Sequence, residues 1–256
     1  MKKIALVTGA TSGIGEAIAT LFAKNGIDVI ITGRRNERLT HLRNKIEKQN
    51  VRALSLCFDV REQKDVEKAI KTLPNEWKEI DILVNNAGLA VGLNPIQSGL
   101  LDDWNRMIDT NIKGLLHITQ CVSNGMIKRE KGHIVNIGSI AGKEVYPNGN
   151  IYCATKHAVD ALTKGMRIDM LPHNIRVTQI CPGAVETEFS IVRFSGDKAK
   201  ADSVYEGYEC LIAPDIAECV WFAVSRPPHV NINDMVVMPS AQASASIFHK
   251  TSKKSI

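Results

Sequence analysis

Short runs rich in aliphatic and β-branched residues alternate with helix-length stretches from residue 3 to about residue 238. Strands are expected over 3–8 (KIALVT), 28–33 (DVIITG), 52–58 (RALSLCF), 81–84 (DILV), 132–138 (GHIVNIG), 174–180 (NIRVTQI) and 234–238. Several of these runs are nearly continuous in apolar residues, as strands covered on both faces are. Helices are expected between them, over 13–25 closed by Gly26, 36–49, 62–72, 102–129, 152–171 ended by Pro172, and 214–225 ended by Pro227. Such a β-α-β-α order predicts one open, doubly wound parallel sheet with helices on both faces. With 256 residues the chain has the size of one α/β domain. No linker or repeat divides it, so residues 1–240 read as a single domain and 241–256 as a C-terminal tail frayed at its end. The segment 184–213 has little periodicity and follows a strand, which suggests a substrate lid.

Composition excludes several function classes. Hydrophobic residues are 44% and charged residues 23%, the profile of a soluble globular chain. The longest apolar runs, such as 4–7 and 219–224, are too short to span a membrane. The MKK-IALV start imitates a secretion signal, but its apolar part is too short and Thr8-Gly9 follows at once. The net charge of +5 is spread without a basic block or an aromatic stacking set, which argues against a nucleic-acid partner and for a small-molecule substrate. Six scattered cysteines contain no C-x-x-C pair, so no metal is expected and a reducing cytoplasm suits them.

The first strand runs into TGATSGIG, residues 8–15, which opens a helix. Glycines there let the backbone turn tightly and approach a pyrophosphate seated on the helix N-terminus; a purely structural turn is the alternative. A kinase-type P-loop is excluded, because no Lys-Ser/Thr pair follows. The residue twenty positions beyond Gly13 is Gly33, followed by Arg34 and Arg35. Where an NAD site usually places a carboxylate, two guanidinium groups stand ready to bind a 2′-phosphate. The alternative is two solvated arginines at a helix start, where cations are mildly unfavourable.

Tyr152 and Lys156 are one helical turn apart and share a face. A cation near the phenol is expected to lower its pKa by ~2–3 units and poise it for acid–base work. Ser139 closes the strand 132–138 at the carboxyl edge of the sheet, where α/β folds bind ligands. It serves there as a donor to a substrate oxygen or as a simple cap. NNAG, residues 85–88, follows the strand 81–84 at the same edge. Asn111 falls inside the stretch 102–129 and is expected to break its ladder locally, or to be a solvated polar residue.

Taken together, TGATSGIG, NNAG, Asn111, Ser139, Tyr152-x-x-x-Lys156 and Pro182-Gly183 resemble the short-chain dehydrogenase/reductase family, over residues 1 to about 240. The resemblance implies a Rossmann-type domain with a seven-stranded parallel sheet and a nicotinamide cofactor. It implies Tyr152 as acid/base, Ser139 as the group polarising the substrate oxygen, Lys156 on the nicotinamide ribose and Asn111 holding a water of a proton relay. It places cofactor contacts at Gly9, Thr11, Ser12, Gly13, Ile14, Gly15, Asp59, Val60, Asn86, Ala87, Gly88, Pro182, Gly183, Val185 and Thr187, besides the two arginines. The segments TGRR-x-E-R-L (32–39) and VETEFSIVRFSGD (185–197), among others, resemble the NADP-dependent 3-hydroxy acid dehydrogenases. That narrower likeness implies NADP(H), a small 3-hydroxy acid or its semialdehyde, and a cytoplasmic homotetramer with interfaces on 102–129, 152–171 and the C-terminal segment. Reductases of uncharged carbonyls and a non-catalytic NADP sensor are the rival readings. Arg193, the single cation of 185–197, is expected either to bind a substrate carboxylate or to pair with Glu188 or Asp197.

Overall fold

The computed structural model describes residues 2–194 and 196–251. The strands β1 (Ile4–Val7), β2 (Asp28–Gly33), β3 (Ala53–Cys57), β4 (Ile82–Asn85), β5 (Gly132–Ile137), β6 (Ile175–Pro182) and β9 (Asp234–Val237) form one sheet in the order β3-β2-β1-β4-β5-β6-β9. Every pairing in it is parallel. The seven expected strands are all present, shifted by at most two residues at their ends.

Alternation explains why the runs look continuously apolar. Ala5, Val7, Val29, Ile31, Val84 and Val135 point to one face, where α1 (Gly13–Lys24), α2 (Asn36–Glu47) and α9 (Ala213–Val224) cover them with Ile18, Phe22, Leu39 and Val220. Ile4, Leu6, Ile30, Leu83 and Ile134 point to the other face. There α3 (Gln63–Lys71), α5 (Leu115–Arg129) and α6 (Asn150–Met170) supply Val66, Ile118, Met126 and Val159. Both faces of the inner strands β1, β2, β4 and β5 are therefore buried, which gives their nearly continuous apolar runs, while the edge strands β3 and β9 stay partly exposed.

Three expectations change on contact with the structure. The stretch 102–129 is not one regular helix: α4 (Leu101–Ile108) and α5 are joined by a π-helical turn over Asp109–Gly114, centred on Asn111. The segment 184–213 is more ordered than its sequence suggests. It holds β7 (Val185–Glu186), α7 (Phe189–Arg193), α8 (Lys198–Ser203) and β8 (Leu211–Ile212), and β7 pairs with β8 in parallel, pinning the two ends of the excursion together. The chain from 241 to 251 folds back onto the body: Gln242 bridges to Phe248, and its Oε1 accepts from the Ala184 amide at 2.8 Å. The expected fraying at 252–256 lies outside the described residues. At the start of α9 no hydroxyl serves as cap, because Ile212 stands there; the Asp215 carboxylate instead accepts from the Ile212 amide at 2.8 Å.

Candidate active site

The strand order reverses on either side of β1 and β4, and the loops after those strands are tied to each other. Asn86 donates through Nδ2 to the Thr8 carbonyl at 2.9 Å, and the amides of Asn86 and Ala87 both donate to Thr8 Oγ1 at 3.0 Å. A cleft of about 560 Å³ opens above this knot, at the carboxyl ends of the strands. With two exceptions, every expected site residue lines it: the glycine-loop residues, Arg34 and Arg35, Asp59 and Val60, Asn86 to Gly88, Ser139, Tyr152, Lys156, the residues after β6, and Arg193.

Gly15 and Asn111 are the exceptions. A side chain at Gly15 would stand 2.5 Å from Asn86 Nδ2 and from the Gly9 carbonyl, so this glycine brings α1 against the two loops rather than touching a ligand. Gly9 and Gly13 do shape the cleft wall, both at positive φ (64° and 56°). Asn111 is buried, and its amide is fully engaged. Nδ2 donates to the Leu89 carbonyl at 2.9 Å and to Thr155 Oγ1 at 3.0 Å, while Oδ1 accepts from the Leu89 amide at 2.8 Å. Its side chain thus anchors the loop after β4, and the π turn around it supplies the expected break in the helix.

Tyr152 and Lys156 project from the first turns of α6, and both are buried, as is Ser139. Ser139 does two things at once: its Oγ accepts from the Ala141 amide at 3.1 Å, capping the turn after β5, and it also lines the cleft beside Tyr152. Lys156 points its ammonium at the Ile137 carbonyl, 2.9 Å away, and no carboxylate among the described residues pairs with it. Burial therefore brings Lys156 down to about 8, with Cys181 opposing weakly.

The phenol behaves differently from the expectation. Burial, helped by Tyr146, pushes Tyr152 above its ordinary value, and the Ser139 hydroxyl and the charge of Arg193 pull it only partly back. The spacing does place Lys156 on the same face, 5.9 Å from the Tyr152 ring centroid. Desolvation of the phenolate outweighs what that distance delivers, so Tyr152 stays protonated near neutral pH.

Arg193, the last residue of α7, donates to the Tyr146 hydroxyl at 2.5 Å and lies 5.2 Å and 5.7 Å from the ring centroids of Tyr146 and Tyr152. Its Nε is buried without a partner. The two acids considered as partners are engaged elsewhere. Asp197 pairs with Lys200, and Glu188 accepts from Arg38 NH1 at 2.7 and 2.9 Å and from Arg35 NH1 at 3.0 Å. Burial raises the Glu188 carboxyl, but Arg38 and Arg35 outweigh it and hold the group below its ordinary range. Arg34 is largely exposed, 3.6 Å from Asp59, whose carboxyl burial raises and Arg61 and Arg34 more than offset.

Several cleft residues escape sequence reasoning: Tyr146, Phe189, Gln242 and Phe248 line the cleft, and Arg38 reaches its rim through Glu188. Arg38 carried a legible signal, since it lies in the first turn of α2, three residues beyond Arg35 at the cap. Gln242 and Phe248 carried none, because only the fold brings the C-terminal segment to β6.

Residues 3–197 match the model of the short chain dehydrogenases. The chain is 48% identical over 245 residues to a Salmonella typhi protein named NADP-dependent 3-hydroxy acid dehydrogenase YdfG, covering 95% of this chain and 98% of the relative. It is 45% identical over 244 residues to sulfoacetaldehyde reductase 2 of Chromohalobacter salexigens, covering 95% and 96%. The closed form of serine dehydrogenase complexed with NADP+ has a TM-score of 0.92 at 45% identity, covering 97% of this chain and all of that one. This chain belongs to the short-chain dehydrogenase family.

Proposed function

We propose that this protein is an NADP(H)-dependent oxidoreductase that moves a hydride between the nicotinamide and a small 3-hydroxy acid or its semialdehyde or ketone. The observation that carries the substrate class is Arg193: a half-buried guanidinium beside Tyr152, with an unpartnered buried Nε and no acid on it among the described residues. A substrate anion is the missing partner. The names of the relatives, a hydroxy acid dehydrogenase and a sulfoacetaldehyde reductase, describe small substrates with an anionic end.

The cleft fits the cofactor. The turn at Gly9 and Gly13, each at positive φ, leaves backbone at the mouth of α1 for a pyrophosphate, and a side chain at Gly13 would meet Thr187 at 3.3 Å. Thr11, Ser12, Ile14, Asn86, Ala87, Gly88, Pro182, Gly183, Val185 and Thr187 complete the wall that would hold it, with Asp59 and Val60 toward the adenine. Arg34 and Arg35 would hold the 2′-phosphate, and no carboxylate ends β2 to repel it. Lys156, an ammonium without a counter-charge, would hold the nicotinamide ribose. NADPH, when bound, supplies the hydride, and NADP+ accepts it.

The residues of the chain manage the proton. In reduction, Ser139 donates to the substrate oxygen, and Tyr152, kept protonated by burial, gives its proton to the same oxygen as negative charge develops there. Arg193 and Lys156 then offset the tyrosinate charge, and oxidation reverses the order. Asn111, through its grip on the Leu89 loop and Thr155, positions the start of α6.

Residues 1–240, with a lid over 184–213, act here as one catalytic unit, whose cleft Gln242 and Phe248 of the C-terminal segment complete. Among the described residues no helix is long and apolar enough to cross a membrane. A cytoplasmic location is supported by the six free cysteines. A homotetramer is supported by exposed apolar residues on the expected interfaces, with Leu116 39% exposed, Ile168 73% and Leu171 75%.

Arg193→Met tests the substrate class. It should cost ~2–4 kcal/mol in kcat/KM on short hydroxy acids and leave a neutral aldehyde of similar size nearly unaffected. Equal losses on both would show that Arg193 shapes the lid without reading charge, and would favour an uncharged carbonyl as substrate.

A further inference from the structure

Glu188 joins the two recognition corners of the cleft. It immediately precedes α7, and Arg193 is the last residue of that same short helix. Its carboxylate reaches across to the start of α2, where it takes Arg38 and Arg35. Arg35 is otherwise spent on the glycine loop: Nε and NH2 donate to Thr11 Oγ1 at 3.1 and 2.8 Å, and NH2 also donates to Ser12 Oγ at 2.8 Å. A guanidinium has five donors arranged as a fork. With both its Thr11 side and its Glu188 side occupied, Arg35 has no edge left for a phosphate to be received bidentately. A carboxylate and a phosphate on one guanidinium also repel each other, so one must leave.

We propose that Glu188 is a latch: its carboxylate occupies the 2′-phosphate seat on Arg35 and Arg38 in the cofactor-free chain, tying α7 of the lid to α2, and the 2′-phosphate of NADP displaces it. The inference rests on the reading of Arg34 and Arg35 as the phosphate site, and it adds Arg38 to that site. Displacement costs NADP part of its affinity and frees the end of α7 that leads to Arg193. NAD has no group to compete for the seat and leaves the tie intact. The pair is exposed enough to yield, since the side chains of Arg35 and Glu188 are 44% and 43% accessible.

Calorimetric titration of NADP+ and NAD+ into the wild type, Glu188→Gln, Arg35→Met and the double variant tests this. Glu188→Gln should bind NADP+ roughly three- to tenfold more tightly, the range for removing exposed ion pairs, and NAD+ within twofold of wild type. The gain should shrink in the Arg35→Met background, where only Arg38 still holds the carboxylate. Unchanged or weaker NADP+ binding in Glu188→Gln, or an equal gain for NAD+, overturns the latch. If Arg35→Met by itself leaves the NADP+ to NAD+ preference at the wild-type value, the phosphate seat is elsewhere and the underlying reading fails first. A second readout follows the lid. Adenosine 2′,5′-bisphosphate, but not ADP, should speed tryptic cleavage at Lys198 and Lys200 in the wild type and make no difference in Glu188→Gln. Equal effects of the two nucleotides on the wild type overturn the tie.

Discussion

Replacing Lys156 by Met should make the cofactor-free protein more stable while it damages the enzyme. The buried ammonium faces a carbonyl and no carboxylate, and burial brings it from 10.5 to about 8. That difference corresponds to ~3 kcal/mol that the folded state forgoes whenever the lysine is charged in both states. Met fills a similar volume without charge but leaves the Ile137 carbonyl unpartnered, which costs ~1–2 kcal/mol. A net gain of ~1–2 kcal/mol at pH 7 is expected, or roughly 2–8 °C in Tm for a chain of this size. The sign with pH follows from the two protonation states. Unfolded, the lysine keeps its proton up to 10.5; folded, it gives it up above about 8. Between those values the unfolded wild type binds more protons, so wild-type stability rises with pH and the advantage of the variant fades toward pH 10. Urea unfolding of both proteins without cofactor at pH 7, 8, 9 and 10 measures this, and NADPH binding by the variant should be strongly weakened. A variant less stable than wild type at pH 7, with an unchanged difference at pH 10, would falsify the picture of an uncompensated ammonium held for a ligand.

Two shorter predictions concern the proton and the acid limb. Tyr152→Phe should abolish turnover with little change in NADPH affinity, because it removes a donor that acts only in the transition state; near-normal steady-state rates would remove Tyr152 from that role. His133 is buried on β5 against Thr178, and burial, reinforced by the charges of Arg176 and Lys3, brings its imidazole down from 6.5 to about 3. Its neutral form costs nothing above 6.5, and stability is lost as pH falls through that window, by ~2 kcal/mol at pH 5; His133→Leu should flatten this limb in an acid-unfolding series, and an unchanged slope would assign the acid loss to other groups.

The five inner strands, β1, β2, β4, β5 and β6, were legible because both faces of each are covered, which leaves a compact apolar run that turn residues punctuate; the edge strands β3 and β9 are part exposed and were legible from their place in the β-α alternation. The catalytic set was legible because Tyr152 and Lys156 lie one turn apart, and because Ser139 and the NNAG loop fall at strand ends where the topology gathers ligands. The break at Asn111 was legible as a break, but its form was not. A π turn arises from how Asn111 reaches Leu89 and Thr155, contacts 22 and 44 residues away. The same holds for Gln242 and Phe248, which no periodicity points toward the cleft.

Electrostatic balance is the part that residue spacing did not convey. Spacing places a cation near the Tyr152 phenol, and the expectation of a lowered pKa followed from counting that charge alone. The structure adds the cost of burying the phenolate, which acts in the opposite direction and outweighs that charge, and it reveals a second cation, Arg193, as the one that pulls on Tyr152. It likewise turns Arg35 from a vacant fork into one already holding Glu188. In both corners a charge arranged for a ligand is set, without it, against a competing cost: burial of Lys156 on one side and a carboxylate on Arg35 on the other. Ligand binding shifts both balances, gaining donors from Lys156 on one side and breaking the Glu188 pairs on the other, so stability, cofactor preference and lid position are linked through the same few charged groups, and a substitution at any of them should register in more than one of those quantities.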